Sequence, residues 1–79
     1  MTVRLFARLR DIAGSAEVDR PLAPAATAEE LWRELVGEFP ELGAYTRAVS
    51  VARNLEYIPW STPLADGDEI AFLPPVSGG

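Results

Sequence analysis

The chain has no cysteine, no histidine and no lysine. Without cysteine there is no disulfide, no thiol nucleophile and no thiolate metal site. Without histidine it lacks the commonest general base and metal ligand. It also carries no glycine-rich phosphate loop, so a self-contained catalytic centre is not expected. All seven basic residues are arginine and twelve residues are acidic, for a net charge of −5. That balance argues against nucleic acid and against anionic membrane surfaces, and suits partners with basic docking surfaces. With no lysine, the chain cannot be linked to itself through lysine isopeptide bonds, and any attachment to other proteins is expected to be single. No apolar run approaches the roughly 18 residues of a membrane span, and no signal-peptide pattern opens the chain. A cytoplasmic location is therefore expected.

The residues present are enough for one small domain. Seventy-nine residues, 48% hydrophobic and 24% charged, read as globular rather than disordered. A domain of this size buries about 60–65% of its unfolded surface, so modest stability is expected. No internal repeat, linker or low-complexity segment divides it.

Thr2 to Arg8 alternates, with Val3, Leu5 and Ala7 on one side and Thr2, Arg4, Phe6 and Arg8 on the other, which predicts a strand with one core face. Phe6 is the anomaly, a large aromatic on the arginine-bearing side. Leu9 to Gly14 reads as one helical turn closed by Gly14. A weak second strand around Ala16–Val18, stopped by Pro21, is expected to pair antiparallel with the first. Thr27 and Glu30 form a capping box for the clearest helix. Its apolar stripe is Ala28, Leu31, Leu35 and Phe39, flanked by Trp32 and Val36, and Pro40 ends it. Leu42 and Tyr45 anchor the following connection. Val49–Arg53 is a third strand, Asn54 suits a turn, Leu55–Ile58 is a short fourth strand, and Leu64 tucks inward from an irregular stretch.

The last fourteen residues, DGDEIAFLPPVSGG, carry the strongest signal. Asp66-Gly67-Asp68 is turn chemistry, with Gly67 free to take positive φ. Those acids with Glu69 read as turn residues and exposed charges, not as a metal or acid/base cluster. Ile70–Leu73 is a continuous apolar run, expected of a strand buried on both faces. Pro74 and Pro75 donate no N–H, end the pairing and push the residues after them into an extended path. The last six residues reach on the order of 20 Å. With glycine near 7% of residues, a chance Gly-Gly end has a probability of roughly 0.005, which favours a working tail over a frayed one. Two residues without Cβ make a thread for a narrow channel, and the working group is then the Gly79 carboxylate.

If Ile70 and Phe72 face the helix, Leu73 lies on the other side of the sheet. Phe6 shares that side, and Tyr57 is expected to join them in an exposed apolar patch of the kind that marks a protein interface.

PPVSGG after DGDEIAFL, with the opening VRLFARLRDIAG, resembles the small subunits of molybdopterin synthases. These are sulfur carriers of the ubiquitin-like β-grasp superfamily, related to the thiazole-forming sulfur carrier. Asn54, Pro63-Leu64 and the helix ending at Phe39-Pro40 stand where the family pattern puts them. Arg53 departs from the smaller apolar residue often found before Asn54. The resemblance implies an α+β fold, a ubiquitin-like β-grasp with a mixed sheet packed on one main helix. Residues 1–75 would form that domain and 76–79 the extended Gly-Gly tail.

It further implies a carrier rather than a free-standing enzyme. The chain would bind no cofactor itself. An adenylyltransferase resembling ubiquitin-activating enzymes would use ATP to adenylate Gly79, and a sulfur donor protein would supply the sulfur of a thiocarboxylate. The large synthase subunit would then receive the tail, and the thiocarboxylate would give its sulfur to a pterin precursor in molybdenum cofactor biosynthesis. Phe6, Tyr57 and Leu73 would dock the large subunit with Arg10 near their rim. Pro74, Pro75, Val76 and Ser77 would lead Gly78 and Gly79 into its channel. The alternatives are sulfur supply for thiamine thiazole or tRNA thiolation, and a ubiquitin-like protein modifier or plain binding module.

Overall fold

The first strand sets the frame for the rest of the fold. In a computed structural model, which describes residues 1–21 and 26–75, β1 is Thr2–Leu5. Val3 and Leu5 are buried and Arg4 is exposed, as the alternation requires. The strand is shorter than the predicted Thr2–Arg8. Phe6 is still extended, but Ala7 takes φ +51° and turns the chain into a helix, α1, Ala7–Ala13. The reason lies in Leu9, which is fully buried. A helix brings Leu9, Ile12 and Ala13 onto one face toward the core, a spacing that no strand can produce. Gly14 ends α1 in the left-handed conformation, φ 75°, and its N–H donates to the Arg10 carbonyl at 2.9 Å.

Strand β2, Glu17–Asp19, returns antiparallel to β1 with Val3 opposite Val18. Helix α2, Ala28–Glu38, starts as predicted: the Thr27 hydroxyl accepts the Glu30 N–H at 3.3 Å. The stripe Ala28, Leu31, Trp32 and Leu35 is buried, while Val36 and Phe39 are half-buried at its margin. Pro40 ends α2 but opens a 3₁₀-helix, Pro40–Tyr45, in place of a plain connection. Proline suits the first position of a helical turn because its missing N–H has no partner there. Leu42 of this turn is fully buried.

Strands β3, Ser50–Arg53, and β4, Glu56–Tyr57, form a tight hairpin, and β5, Glu69–Leu73, completes the sheet. The sheet order is β2-β1-β5-β3-β4. β5 pairs parallel with β1 and antiparallel with β3, so the last strand lies at the centre. Its burial alternates, which corrects the expectation of a strand covered on both faces. Ile70 and Phe72 are fully buried against α2, while Ala71 and Leu73 are only half-buried on the opposite face.

Phe72 is the centre of the core. Its ring lies 5.0 Å from that of Trp32 and stacks at 5.9 Å on that of Trp60. Trp32 and Trp60 meet edge-on at 6.2 Å, and the Trp32 indole N–H donates to the Thr46 hydroxyl at 3.0 Å. The stretch bearing Trp60 is irregular but tied down. Glu29 N donates to Trp60 O, Ala28 N to Thr62 O and Leu64 N to Ala26 O. Arg53, the residue at odds with the family pattern, is half-buried and its guanidinium donates to the Pro63 carbonyl at 3.1 Å. Phe72→Leu keeps the volume class but removes two aromatic contacts. It should lower stability by about 1–3 kcal/mol, read as a fall in the urea midpoint at constant m-value. An unchanged midpoint would show that the ring cluster does not hold the core.

Candidate functional site

The face of the sheet turned away from α2 is built by the pleat. Register places Glu17, Arg4, Ala71, Ala52 and Tyr57 in one row across it. Ala52 and Ala71 are direct partners in the β3–β5 ladder, so the middle of the row has only two methyl groups on it. Large side chains stand around this low floor and leave a depression of about 180 Å³ lined by Phe6, Ala52, Leu55, Tyr57, Glu69, Ala71 and Leu73. Phe6 is 42%, Tyr57 73% and Leu55 94% exposed. Among the described residues these are the large hydrophobic side chains left exposed, and all three border the same depression. The remaining side carries an ion pair, Arg4 Nε to Glu69 Oε1 at 3.2 Å.

The expected patch at Phe6, Tyr57 and Leu73 therefore has its geometry. Arg10 is exposed on α1 and does not line the depression. Pro74, half-buried, and exposed Pro75 come after Leu73 outside any strand. Val76, Ser77, Gly78 and Gly79 lie outside the described residues. Of the acidic residues in the turn before β5, Asp68 is engaged in structure and Asp66 is exposed. Asp68 Oδ2 accepts the Ala65 N–H at 2.9 Å, and Gly67 takes φ 85°. Among the described residues no group of carboxylates has the arrangement of a metal site.

The β3–β4 turn is only partly legible in the sequence. Arg53 pairs with Glu56, leaving Asn54 and Leu55 as a two-residue turn with φ +48° and +73°. Both central residues are left-handed, as a type I′ hairpin demands. Leu55 is thus a turn residue and not the start of a strand. Asn54 is clamped to β5: its N–H donates to Glu69 O at 2.8 Å and its Oδ1 accepts the Glu69 N–H at 3.0 Å. Its Nδ2 also reaches Asp68 Oδ1 at 3.4 Å. The non-glycine residues with positive φ among those described are Ala7, Asn54 and Leu55. Ala7 directly follows Phe6, so all three adjoin the depression. Ala52, Ala71 and Leu55 are site residues that sequence reasoning misses. The alanine floor depends on long-range register, which no local pattern carries. Leu55 does leave a signal, since Asn-Leu stands where Asn-Gly is usual.

The order of the sheet, its parallel centre and the single main helix define a ubiquitin-like β-grasp protein with one face of its sheet left uncovered. The ThiS family model matches residues 3–79, and the chain belongs to that family. It is 36% identical over 77 residues to the molybdopterin synthase sulfur carrier subunit of Arabidopsis thaliana, covering 98% of this chain and 80% of that one. Its fold is similar to the crystal structure of small archaeal modifier protein 1 of Haloferax volcanii, with TM-score 0.82, 33% identity and 95% of each chain covered. It is also similar to a chain in the protein–protein complex of subunits 1 and 2 of the molybdopterin-converting factor from Helicobacter pylori 26695. There the TM-score is 0.69 and the identity 30%, over 99% of this chain and 96% of that one.

Asn54→Ala removes the clamp on the turn and the residue best suited to left-handed backbone after glycine. It should destabilise the fold by about 1–3 kcal/mol and raise amide exchange at Glu69, whose N–H loses its acceptor. Unaltered protection at Glu69 would show that the side chain does not pin the turn.

Proposed function

We propose that this chain is the sulfur carrier subunit of a molybdopterin synthase, working through the carboxylate of Gly79. The observation that carries the proposal is full-length similarity to molybdopterin synthase sulfur carrier subunits, joined to a tail, PPVSGG, that leaves the strand bearing Leu73. A carboxylate is a poor acyl donor because its oxygen leaves badly. Attack of the Gly79 carboxylate on the α-phosphate of ATP expels pyrophosphate and gives an acyl-adenylate. Hydrosulfide from the donor then displaces AMP at the acyl carbon and leaves a thiocarboxylate. A donor persulfide would give an acyl disulfide, which a thiol of the donor cleaves to the same thiocarboxylate as it forms a disulfide. When the thiocarboxylate sulfur has passed to the pterin precursor and water has taken the acyl carbon, the carboxylate is restored.

None of these steps needs a side chain of this protein, which agrees with its lack of cysteine and histidine. An adenylyltransferase of the ubiquitin-activating type would supply the ATP site, a donor protein the sulfur, and the large subunit the pterin pocket. The chain itself would hold no cofactor, work in the cytoplasm and contact neither nucleic acid nor membrane. Among the described residues no helix is long and apolar enough to cross a membrane.

A second reading, attachment to other proteins, is favoured by the likeness to the archaeal modifier. The acceptor separates the two. Purified protein should show a mass gain equal to the exchange of one oxygen for sulfur, and a large subunit should co-purify. A conjugate ladder on cellular proteins with no thiocarboxylate would favour the modifier.

The tail and the patch can be tested separately. Gly78→Val and a chain lacking Gly79 should unfold like wild type yet fail to support ATP–pyrophosphate exchange by the cognate adenylating enzyme, because a β-branched side chain stiffens and fills the thread. Undiminished exchange by both would exclude the terminal glycines as the activated group. Phe6→Ala should weaken association with the large subunit by about 1–3 kcal/mol, the range of an interface anchor, with little effect on the unfolding midpoint. Equal affinity would remove Phe6 from the docking face.

A further inference from the structure

Leu55 is a large apolar side chain in a place where the fold of the monomer gains nothing from it. It is 94% exposed, so the core does not need it. Its backbone is left-handed, φ +73°, at the turn position where glycine is preferred. The turn is held rigidly, because Asn54 bonds to both the N–H and the carbonyl of Glu69. A leucine kept in a disfavoured conformation on a rigid exposed turn points to a role outside the monomer.

The register shows where that role lies. Asn54 adjoins Glu69, at the beginning of β5, so Leu55 closes that end of the depression. Phe6 and Leu73 close the opposite end, from which the tail departs, and Tyr57 closes the β4 edge. The Arg4–Glu69 ion pair lies along the β1 side. The result is a hole with an alanine floor and apolar walls on three sides, the fourth being the ion pair, of a size for one apolar side chain of a partner.

We infer that Leu55 is an affinity-setting anchor for the large subunit, gripping an apolar side chain of that subunit over the Ala52–Ala71 floor. The inference rests on the carrier reading proposed above. A second copy of this chain is disfavoured as occupant by its net charge of −5. The large subunit is favoured because Leu73 runs from this hole directly into the tail that it would receive. A similar chain from Helicobacter pylori is found in complex with subunit 2.

The test compares wild type, Leu55→Ala, Leu55→Gly and Phe6→Ala for binding to the cognate large subunit by calorimetry. Urea unfolding and ATP–pyrophosphate exchange with the adenylating enzyme are measured in parallel. Leu55→Ala and Leu55→Gly should each bind about tenfold more weakly, with exchange unchanged. Leu55→Gly should unfold at a higher urea concentration than wild type, because glycine relieves the left-handed backbone. If Phe6→Ala binds weakly while both Leu55 variants bind like wild type, Leu55 is a bystander and the inference falls, leaving the carrier reading intact. If wild type itself does not bind a large subunit, the reading falls and takes the inference with it. A loss confined to nucleotide exchange would make the adenylating enzyme the occupant and equally overturn the inference. A lower unfolding midpoint for Leu55→Gly would show that Leu55 is not strained in the monomer, and would remove the ground for a role outside it.

Discussion

The parallel pairing of β5 with β1 is the constraint on which the rest depends. Parallel neighbours cannot be joined by a tight turn, so the whole intervening chain must cross over between them. In that passage it supplies α2, which covers one face of the sheet, and the hairpin that flanks β5 on its other side. Phe72 on β5 then meets Trp32 from α2 and Trp60 from the final connection, so three distant parts of the sequence converge on one ring. The other side of the same strand has Ala71 and Leu73, and its end runs into Pro74-Pro75. The core, the open face of the sheet and the start of the Pro74-Pro75 segment are therefore successive aspects of one five-residue strand. A partner that grips Leu73 also fixes where the tail begins.

Backbone strain is distributed to match. Ala7 bends the chain just after Phe6, and Asn54 and Leu55 bend it beside Tyr57. Each position costs on the order of 1–2 kcal/mol when the residue is not glycine. Asn54 offsets its share through hydrogen bonds to Glu69 and Asp68. Ala7 allows Leu9 to reach the core. Leu55 has no such compensation within the monomer, which separates it from the other two.

How much of this is legible in the sequence depends on the range of the interaction that decides each element. The capping of α2 by Thr27, the left-handed cap at Gly14 and the positive φ of Gly67 are settled within four residues, and each can be read locally. The alternation of Val3 and Leu5 gives the facing of β1, and through it the outward position of Phe6. The end of β1 is misplaced by the same alternation, because Ala7 continues it while burial of Leu9 requires a helix. That requirement is tertiary. The same holds for the alanine floor, since Ala52 and Ala71 become neighbours only when β3 and β5 pair. A run such as Ile70–Leu73 does not declare whether its second face will be covered. Here that depends on which surface the rest of the chain leaves open.

The division between an inert body and a reactive end has its own chemical logic under the carrier reading. An acyl-adenylate at Gly79 is electrophilic at its carbonyl and must last until its sulfur nucleophile arrives without reacting elsewhere first. The nucleophiles that intercept such carbonyls fastest are thiolates, imidazoles and amines. This chain has no cysteine, histidine or lysine, and its cations are all arginine, whose guanidinium stays protonated and carries no free lone pair for attack. Neighbouring copies thus lack the side chains most able to consume one another's activated ends. Arginine still provides the cations that the structure needs, as in the pairs Arg4–Glu69 and Arg33–Glu29 and the bond from Arg53 to Pro63. The missing residue types are then compatible with folding, and their absence leaves the terminal carbonyl as the one group that a partner has to act upon.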